Sequence, residues 1–218
     1  MEKLDIAIRP AVREDVPQAA HMLARAFADD PAFAYQLPHE PSRERRLVRY
    51  FATLLKREAL PLAATEVAVV DGRILGASIW KPPGAWQPPL PVQLAALPGY
   101  ITCFQARSVR ALQTESVMFK EHPEEPHWYL HVIGTDPSWQ GKGIGAALLR
   151  SRLERCDLEG LPAYLESSKL SNVPLYEHFG FEVTGVLGMP AAAPPITKMW
   201  RPGRPAVGVA PDQEGPDR

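Results

Sequence analysis

The sequence predicts an α+β fold in which helices flank one sheet whose strands are mostly antiparallel. Two patterns indicate this class. Segments that alternate between apolar and polar residues, as strands do, are interspersed with segments whose apolar residues recur at helical spacing. With 218 residues the chain suits one domain. We predict a single domain over residues 1–202 and a disordered tail over residues 203–218, where Gly, Pro and charge leave almost no large apolar side chain.

A strand and two helices are predicted first. Ile6 and Ile8 alternate with other residues as in a strand. Asp15 is a typical N-cap for the first helix, which Asp29-Asp30-Pro31 should end. Ser42 is the predicted cap of the second helix. The arginines at positions 43, 45, 46 and 49 lie off its apolar stripe, and we interpret them as a solvated face in preference to an anion site.

Strands and helices then alternate along the chain. Residues 67–70 and 74–80 flank Asp71-Gly72, which favours a hairpin turn. Residues 91–119 have helical spacing that Pro98-Gly99 interrupts, which predicts two short helices divided there. An amphipathic helix begins at Ile144 and Gly160 ends it. Strands are also predicted over residues 128–135, 161–166, 181–186 and 197–200, and a short helix over 172–178.

The amino-acid composition limits the functions and partners that the protein can have. The net charge of −1 provides no polycationic surface, so we expect no nucleic-acid partner and favour a small-molecule or peptide partner. Cys103 and Cys156 are expected to be reduced core thiols. The chain opens without an apolar signal segment and has no stretch that could span a bilayer. We therefore expect a cytoplasmic protein with no membrane partner, either a monomer or a homodimer, and no bound metal.

A glycine-rich turn, Gln140-Gly141-Lys142-Gly143-Ile144-Gly145, leads into the predicted helix at residue 144. Its glycines permit positive φ angles or a close approach of the backbone to a ligand. The N–H groups of the following helix would point at the same anion, and a pyrophosphate suits such a site. The turn lacks the Lys-Ser/Thr pair of a P-loop and the spacing of a dinucleotide fold. By itself, a plain strand-to-helix turn explains it equally well.

The turn belongs to an ordered series of motifs. A strand, Asp136-Pro137, the glycine turn, a helix, a strand, Asn172, Leu175-Tyr176-Glu177 and Gly180-Phe181 follow one another over residues 128–186. This series resembles the GNAT N-acetyltransferase superfamily. Shorter motifs are similar to the antibiotic-modifying group that includes puromycin N-acetyltransferase: Glu125-Pro126-x-Trp128, Gln140-Gly141-Lys142-Gly143, Pro162-Ala163-x-Leu165-Glu166 and Gly180-Phe181-x-Val183-Thr184.

The resemblance implies acetyl-CoA as co-substrate and a splay between the two central strands of the sheet. The pantetheine arm would pair with the backbone of Ile133, Gly134 and Thr135, and a backbone N–H near Val132 or Ile133 would polarise the thioester oxygen. Asn172 is a further expected cofactor contact. The pyrophosphate would lie on Gln140, Gly141, Lys142, Gly143, Ile144, Gly145 and Ala146.

The resemblance also implies two catalytic side chains. An alkylammonium, with a pKa of roughly 10, must lose a proton before it attacks a thioester. Glu166, at a strand end, is the expected base, and His131 is the alternative. Tyr176 is the expected acid, because a tyrosine stays protonated at pH values where a thiol, with a pKa of roughly 8.5, ionises. Transfer would be direct, in a ternary complex, without either cysteine.

The acceptor should lie opposite the cofactor, near the first two helices and the strand ends. The candidate contacts are Asp29, Asp30, Tyr35, Trp80 and Trp128. Three functions stay open at this stage. The first is acetylation of a small-molecule amine such as an aminonucleoside, an aminoglycoside-like compound or a polyamine. The others are acetylation of a protein N-terminus or lysine, and acyl-CoA binding without catalysis.

Overall fold

Seven strands form one sheet in the computed structural model, which describes residues 4–37 and 41–204. Their order across the sheet is β1-β2-β3-β4-β5-β7-β6. Every neighbouring pair is antiparallel except β4 and β5, which are parallel. The predicted α+β class is therefore confirmed. The strands are β1 (Ala7–Pro10), β2 (Thr65–Val70), β3 (Arg73–Lys81), β4 (Trp128–Thr135), β5 (Ala163–Ser167), β6 (Glu182–Val186) and β7 (Thr197–Arg201).

Helices cover both faces of the sheet. They are α1 (Val16–Ala26), α2 (Pro31–Gln36), α3 (Arg43–Leu54), α4 (Leu90–Phe104), α5 (Ser108–Glu121), α6 (Ile144–Glu159) and α7 (Val173–His178). Helices α1 and α3 bury their apolar stripes on one face, where Leu23 and Phe51 join Ile79. Helices α6 and α7 cover the other face, where Leu149 joins Leu165. Among the described helices, none combines the length and apolar character needed to cross a membrane.

The N-terminal caps differ from the prediction. Asp15 occupies the predicted N-cap position of α1, but its side chain makes no capping hydrogen bond to that helix. A short 3-10 turn precedes α1, and the Asp15 carboxylate accepts hydrogen bonds from the Val12 N–H at 2.8 Å and from Arg9 at 2.6 Å. Asp30 caps α2, a helix that the sequence analysis missed, by accepting the Phe33 N–H at 3.0 Å. An Asp-Pro pair is a helix start as well as a helix stop, since proline suits the first helical position.

Helix α4 also differs from the prediction. It continues through Pro98 and ends at Phe104, where Gln105 has a φ of +49°. Arg46, on α3, donates to the carbonyls of Cys103 at 2.5 Å and Phe104 at 3.0 Å, which would otherwise lack partners at the helix end. Tertiary packing therefore outweighs the cost of an internal proline.

The same contact corrects the prediction for the arginines of α3. Arg43 and Arg46 are buried, while Arg45 and Arg49 are exposed. The solvated face thus contains only two of the four. An arginine that caps a neighbouring helix is indistinguishable in sequence from one that faces water.

Residues 82–127 separate β3 from β4, although antiparallel neighbours need only a short turn between them. We call this segment the β3–β4 insertion. It contains α4 and α5, and Cys103 and Phe104 belong to the core beneath α1 and α3. The insertion therefore lies on the α1 face of the sheet. At the other end of the chain, Gly203 packs against the Gly160 carbonyl, and residues 205–218, most of the predicted tail, lie outside the described residues.

Candidate active site

Strands β4 and β5 pair only over their first three residues. The register joins Trp128 to Ala163 and ends with Leu130 opposite Leu165. Beyond this point β4 pairs only with β3, and Glu166 pairs only with β7. A β-bulge in β4 accompanies the separation. Ile79 pairs with Val132 and the next residue, Trp80, pairs with Leu130, so β4 has one extra residue, His131, at this point. The predicted splay is confirmed, and we call the opening the β4–β5 gap.

The gap leaves one edge of β4 without a strand partner. In an antiparallel pair, alternate backbone N–H and C=O groups point away from the neighbouring strand. Within residues 4–37 and 41–204, no strand covers that side of Ile133, Gly134 and Thr135. An extended ligand can pair with such an edge. Gly134 also lets α1 approach β4 closely, since a Cβ there would lie 2.9 Å from Leu23 Cδ2.

Asp136 fixes the turn that follows β4. Its N–H donates to the Leu75 carbonyl at 2.9 Å, and its carboxylate accepts the Ser138 N–H at 3.1 Å and the Arg25 guanidinium at 2.6 Å. Burial raises the pKa of the Asp136 carboxyl, but the bonds from Arg25 and Ser138 outweigh it and leave the pKa below its usual value. The turn is therefore anchored to α1 and to the β2–β3 hairpin.

Two glycines of the turn have left-handed backbones. Gly141 has a φ of +74° and Gly143 a φ of +86°, and a Cβ at either position would meet open space. Conformation, and not crowding, therefore requires glycine there. Gly145 differs, because it lies in the first turn of α6, where a Cβ would be 3.7 Å from Thr135 Oγ1. Only the close approach of a ligand would require glycine at that position.

The N-terminus of α6 completes an anion-sized site. The first intrahelical bond runs from the Ala147 N–H to the Gly143 carbonyl, so the N–H groups of residues 144–146 point out of the helix without intrahelical acceptors. Lys142 adds a positive charge, with Nζ 4.1 Å from the centroid of the Trp139 ring. Gln140 Nε2 donates to the Thr135 carbonyl at 3.4 Å, which ties the turn to the end of β4.

Glu166 lies on β5 one residue beyond the last β4–β5 pair. Its carboxylate accepts hydrogen bonds from the hydroxyls of Tyr129 at 2.7 Å and Tyr164 at 3.1 Å. Burial raises the pKa of Glu166 to about 7, although the two tyrosine hydrogen bonds act to lower it. A carboxyl with that pKa changes its protonation state at neutral pH, as a general base must.

His131 lies beside this group. Its Nδ1 is 3.3 Å from the Tyr129 hydroxyl. Burial, with the positive charge of Lys81 and the neighbouring His122, lowers the pKa of His131 well below its usual value. The imidazole is therefore neutral at physiological pH. The sequence-predicted base and its alternative are joined through one tyrosine.

Side chains of the β3–β4 insertion pack beside the tyrosines that hold Glu166, and the sequence analysis did not predict this contact. His122 stacks on Trp86 at 3.9 Å between ring centroids, and its ring meets Tyr129 and Tyr164 edge to face. Lys81 Nζ donates to the Trp86 carbonyl at 3.0 Å, which ties the insertion to the end of β3. Tyr129 and Tyr164 could have been found, because each lies two residues from His131 or Glu166 and so shares its face of the strand.

Tyr176 lies on the other side of the sheet. It is buried in the core beneath α6 and contacts Phe181. Burial and the nearby Asp30 raise the pKa of Tyr176 above its usual value, so the hydroxyl keeps its proton at physiological pH. Asp30 in turn accepts a hydrogen bond from Ser168 Oγ at 2.5 Å, just after β5. Glu166 and Tyr176 thus flank the end of β5 from opposite faces of the sheet.

Comparison with known proteins identifies the family. Residues 24–181 match the model of the acetyltransferase (GNAT) family. The chain belongs to the GNAT acetyltransferase family. It is 31% identical over 188 residues to an uncharacterized N-acetyltransferase of Schizosaccharomyces pombe, an alignment that covers 81% of this chain and 74% of the yeast protein.

Solved structures share the fold. A Corynebacterium glutamicum protein described as a histone acetyltransferase HPA2 and related acetyltransferase is 26% identical, with a TM-score of 0.71 over 94% of this chain and all of that one. An N-acetyltransferase from Staphylococcus aureus Mu50 is 18% identical, with a TM-score of 0.64 over 89% of this chain and 99% of that one. The protein is accordingly an N-acetyltransferase of the GNAT family, whose members take acetyl from acetyl-CoA.

The remaining residues that were predicted to contact the acceptor lie in different parts of the acetyltransferase. Trp80 and Trp128 are buried in the core beneath α6, on the face opposite Glu166, and Trp128 Nε1 donates to Glu159 at 2.6 Å. These two tryptophans are core residues, so the structure gives no support to their predicted contact with an acceptor.

The other candidates lie nearer the α1–α2 connection. Asp29 is exposed and pairs with Lys169 at 2.6 Å. The Tyr35 ring lies 5.1 Å from the Arg110 guanidinium carbon, which ties α2 to the insertion. Asn172 is exposed at the N-terminus of α7. None of the three contacts Glu166 directly in the described part of the chain.

Proposed function

We propose that this acetyltransferase transfers acetyl from acetyl-CoA to a primary amine of a small molecule, by direct attack in a ternary complex. The main support for the proposal is the position of Glu166. A half-buried carboxylate stands at the β4–β5 gap, held by two tyrosine hydroxyls and titrating near neutral pH. Such a group both attracts an ammonium and accepts its proton.

The cofactor side of the proposal uses the backbone. Acetyl-CoA, when bound, supplies the activated acetyl group. The unpaired edge of Ile133, Gly134 and Thr135 would pair with its pantetheine arm, and the outward N–H groups of residues 144–146 would bind its pyrophosphate. We assign supporting roles to Gln140, Gly141, Lys142, Gly143 and Asn172.

The acid and the base act on different partners in this proposal. Glu166 takes a proton from the amine, and Tyr129 positions Glu166 and links it to neutral His131. Tyr176, protonated on the other face, donates its proton towards the leaving thiolate. Holding the amine and the thioester together across the gap supplies much of the rate through positioning. Cys103 and Cys156 take no part, since burial raises the pKa of each thiol to about 12.

The β3–β4 insertion favours a small acceptor over a peptide. Trp86 stacks on His122, and His122 meets the two tyrosines that hold Glu166 edge to face, so this side of the base is covered by side chains. A peptide substrate needs an open groove, whereas a small ligand is held in a pocket that buries most of its surface. Asp29, Asp30 and Tyr35, on the α1–α2 side, remain the proposed outer contacts.

The decisive experiment is a thiol-release assay with acetyl-CoA against a panel of amines. The panel contains puromycin, which the resemblance of short motifs suggests, together with polyamines, aminoglycosides and short peptides. We expect release with at least one small amine, and loss of turnover with retained CoA binding in Tyr176→Phe. Release with peptides alone would replace the proposal with protein acetylation. No release with any amine, together with no CoA-dependent thermal shift, would contradict it.

A further inference from the structure

A buried lysine, Lys81, lies at the end of β3 and has no role in the reaction proposed above. Burial lowers the pKa of its amine, although Glu58 Oε2 lies 3.7 Å from Nζ and the Trp86 carbonyl accepts a hydrogen bond at 3.0 Å. Taking an ammonium out of water is costly, and an apolar side chain of similar volume is often as stable or more so. The charge at this position is therefore unlike the rest of the core.

Lys81 belongs to a row that contains the two tyrosines that hold Glu166. It pairs with Tyr129 across β3 and β4, and Tyr129 pairs with Tyr164 across β4 and β5. Paired residues of antiparallel strands share a face of the sheet, with Cβ atoms about 4.5 to 5.5 Å apart. Glu166 is on this face too, two residues after Tyr164. The stem of Lys81 therefore lies beside Tyr129, on the side away from Tyr164.

The ammonium of Lys81 also anchors the β3–β4 insertion. Trp86, whose carbonyl it binds, stacks on His122, and the His122 ring meets both tyrosines edge to face. Its neighbour Glu58 follows α3 and accepts a hydrogen bond from Tyr100 of α4. One nitrogen thus joins the end of β3 to the segment after α3 and to the insertion that packs on the tyrosines.

Several titratable groups surround this ammonium. Three carboxylates on different elements act to raise its pKa against the effect of burial, and two imidazoles are neutral because burial keeps their pKa low. These groups are the carboxylates of Glu58, Glu115 and Glu166 and the imidazoles of His122 and His131. On the β7 side of Glu166, Lys198 already pairs with Glu121 at 2.8 Å. On the β4 side, where Tyr129 is uncharged, Lys81 supplies a positive charge that favours an ionised Glu166.

We propose that Lys81 is a positioning residue for the base: it fixes Tyr129 and the insertion around Glu166, and its charge favours the ionised carboxylate. The inference rests on the proposed function, in which ionised Glu166 takes the proton of the amine. Lys81 acts through its neighbours and accepts no proton from the amine itself.

Two neutral variants test the role of Lys81. Lys81→Met keeps the stem and removes the charge. Lys81→Gln also removes the charge but retains an N–H donor for the Trp86 carbonyl. Lys81→Arg keeps the charge and is the conservative variant. Lys56→Met is the matched control, because Lys56 is an exposed lysine on the same short segment as Glu58.

The first measurement is the pH profile of kcat/KM with the amine that the thiol-release panel identifies. In the wild type the rate should rise through the Glu166 pKa of about 7. Both neutral variants should shift this rise to higher pH by about one unit or more, since a lost positive charge disfavours the carboxylate. Their kcat above the rise should fall roughly tenfold to 10²-fold through lost positioning. Lys81→Arg should keep the wild-type pH dependence, and Lys56→Met should keep both the pH dependence and kcat.

The second measurement needs no substrate, so it separates this proposal from the proposed function. Urea unfolding with and without Glu166→Gln gives the pH above which the stability gain of that substitution levels off, and this pH is the Glu166 pKa in the folded protein. The levelling should move up by about one pH unit or more in Lys81→Met and Lys81→Gln and stay in place in Lys56→Met.

The outcomes are distinct. A wild type without turnover on any amine would contradict the proposed function, and the unfolding measurement would still decide whether Lys81 acts on Glu166. An unmoved levelling in both neutral variants would overturn the proposal. Failure of both to fold, where Lys81→Arg folds, would show a purely structural charge and would overturn it as well.

Discussion

Glu166→Gln separates the catalytic role of this side chain from its structural one. Burial raises the Glu166 pKa from 4.5 to about 7, so the folded protein binds this proton more tightly than the unfolded chain does. The stabilising contribution of the protonated form is complete below pH 4.5 and is lost as the pH rises through 7. A difference of this size corresponds to about 3 kcal/mol that the ionised carboxylate costs the fold at alkaline pH.

The variant should therefore be more stable than the wild type at pH 8 and similar to it at pH 4.5. Glutamine is uncharged; its Oε1 can accept from one of the hydroxyls of Tyr129 and Tyr164, and its Nε2 can donate to the other. We expect a gain of about 1 to 3 kcal/mol at pH 8, measured by urea unfolding across the pH range, because relaxation of the site reduces the full value. Glu182→Gln, at an exposed position on β6, should change neither stability nor activity.

Turnover should change in the opposite direction. Losing a general base costs roughly 10²-fold to 10⁴-fold in rate. The wild-type rate should rise with pH and level off above about 7, since only the ionised Glu166 accepts a proton. A variant that keeps full activity would shift the role of base to His131 or to solvent. A variant that gains no stability between pH 4.5 and pH 8 would contradict the raised pKa of Glu166.

Three further predictions address the cofactor, the acid and the thiols. Gly143→Ala should lower stability and raise the KM for acetyl-CoA at least tenfold, because a φ of +86° strains any residue that has a side chain. Gly84→Ala is the control: Gly84 lies in the insertion, has a φ of +74° and equal free space, and its variant should lose similar stability but leave the KM for acetyl-CoA unchanged. Tyr176→Phe should lower kcat roughly 10²-fold while the calorimetric affinity for CoA stays the same. Cys103→Ala and Cys156→Ala should each keep kcat near the wild-type value in the thiol-release assay, and loss of turnover in either would indicate an acetyl-cysteine route.

Motifs with a short range in sequence predicted the strand and the glycine turn that we propose as the cofactor site. The alternation from residue 128 to 135 fixed β4, and the glycine spacing located a turn that needs positive φ at Gly141 and Gly143. These features depend on a few neighbouring residues, so the sequence displays them directly. The splay itself followed from the family resemblance, since no local pattern marks where two parallel strands stop pairing.

The surroundings of Glu166 could not be predicted from the sequence, because they depend on contacts between distant segments. Trp80 and Trp128 were expected near the amine but face α6, since a bulge and the sheet register decide which face a residue takes. His122, with Trp86 stacked on it, meets Tyr129 only because the insertion folds back over the sheet. The spacing of residues in the sequence does not show that the β3–β4 insertion folds back over the sheet.

A crystal structure with bound CoA would test the proposed cofactor site. We expect the pantetheine arm in the β4–β5 gap, paired with the backbone of residues 133–135, and pyrophosphate oxygens within hydrogen-bonding distance of the N–H groups of residues 144–146. The sulfur should then lie between Glu166 and Tyr176. CoA bound elsewhere, or a gap closed by renewed pairing of β4 with β5, would show that the β4–β5 gap is not the cofactor site.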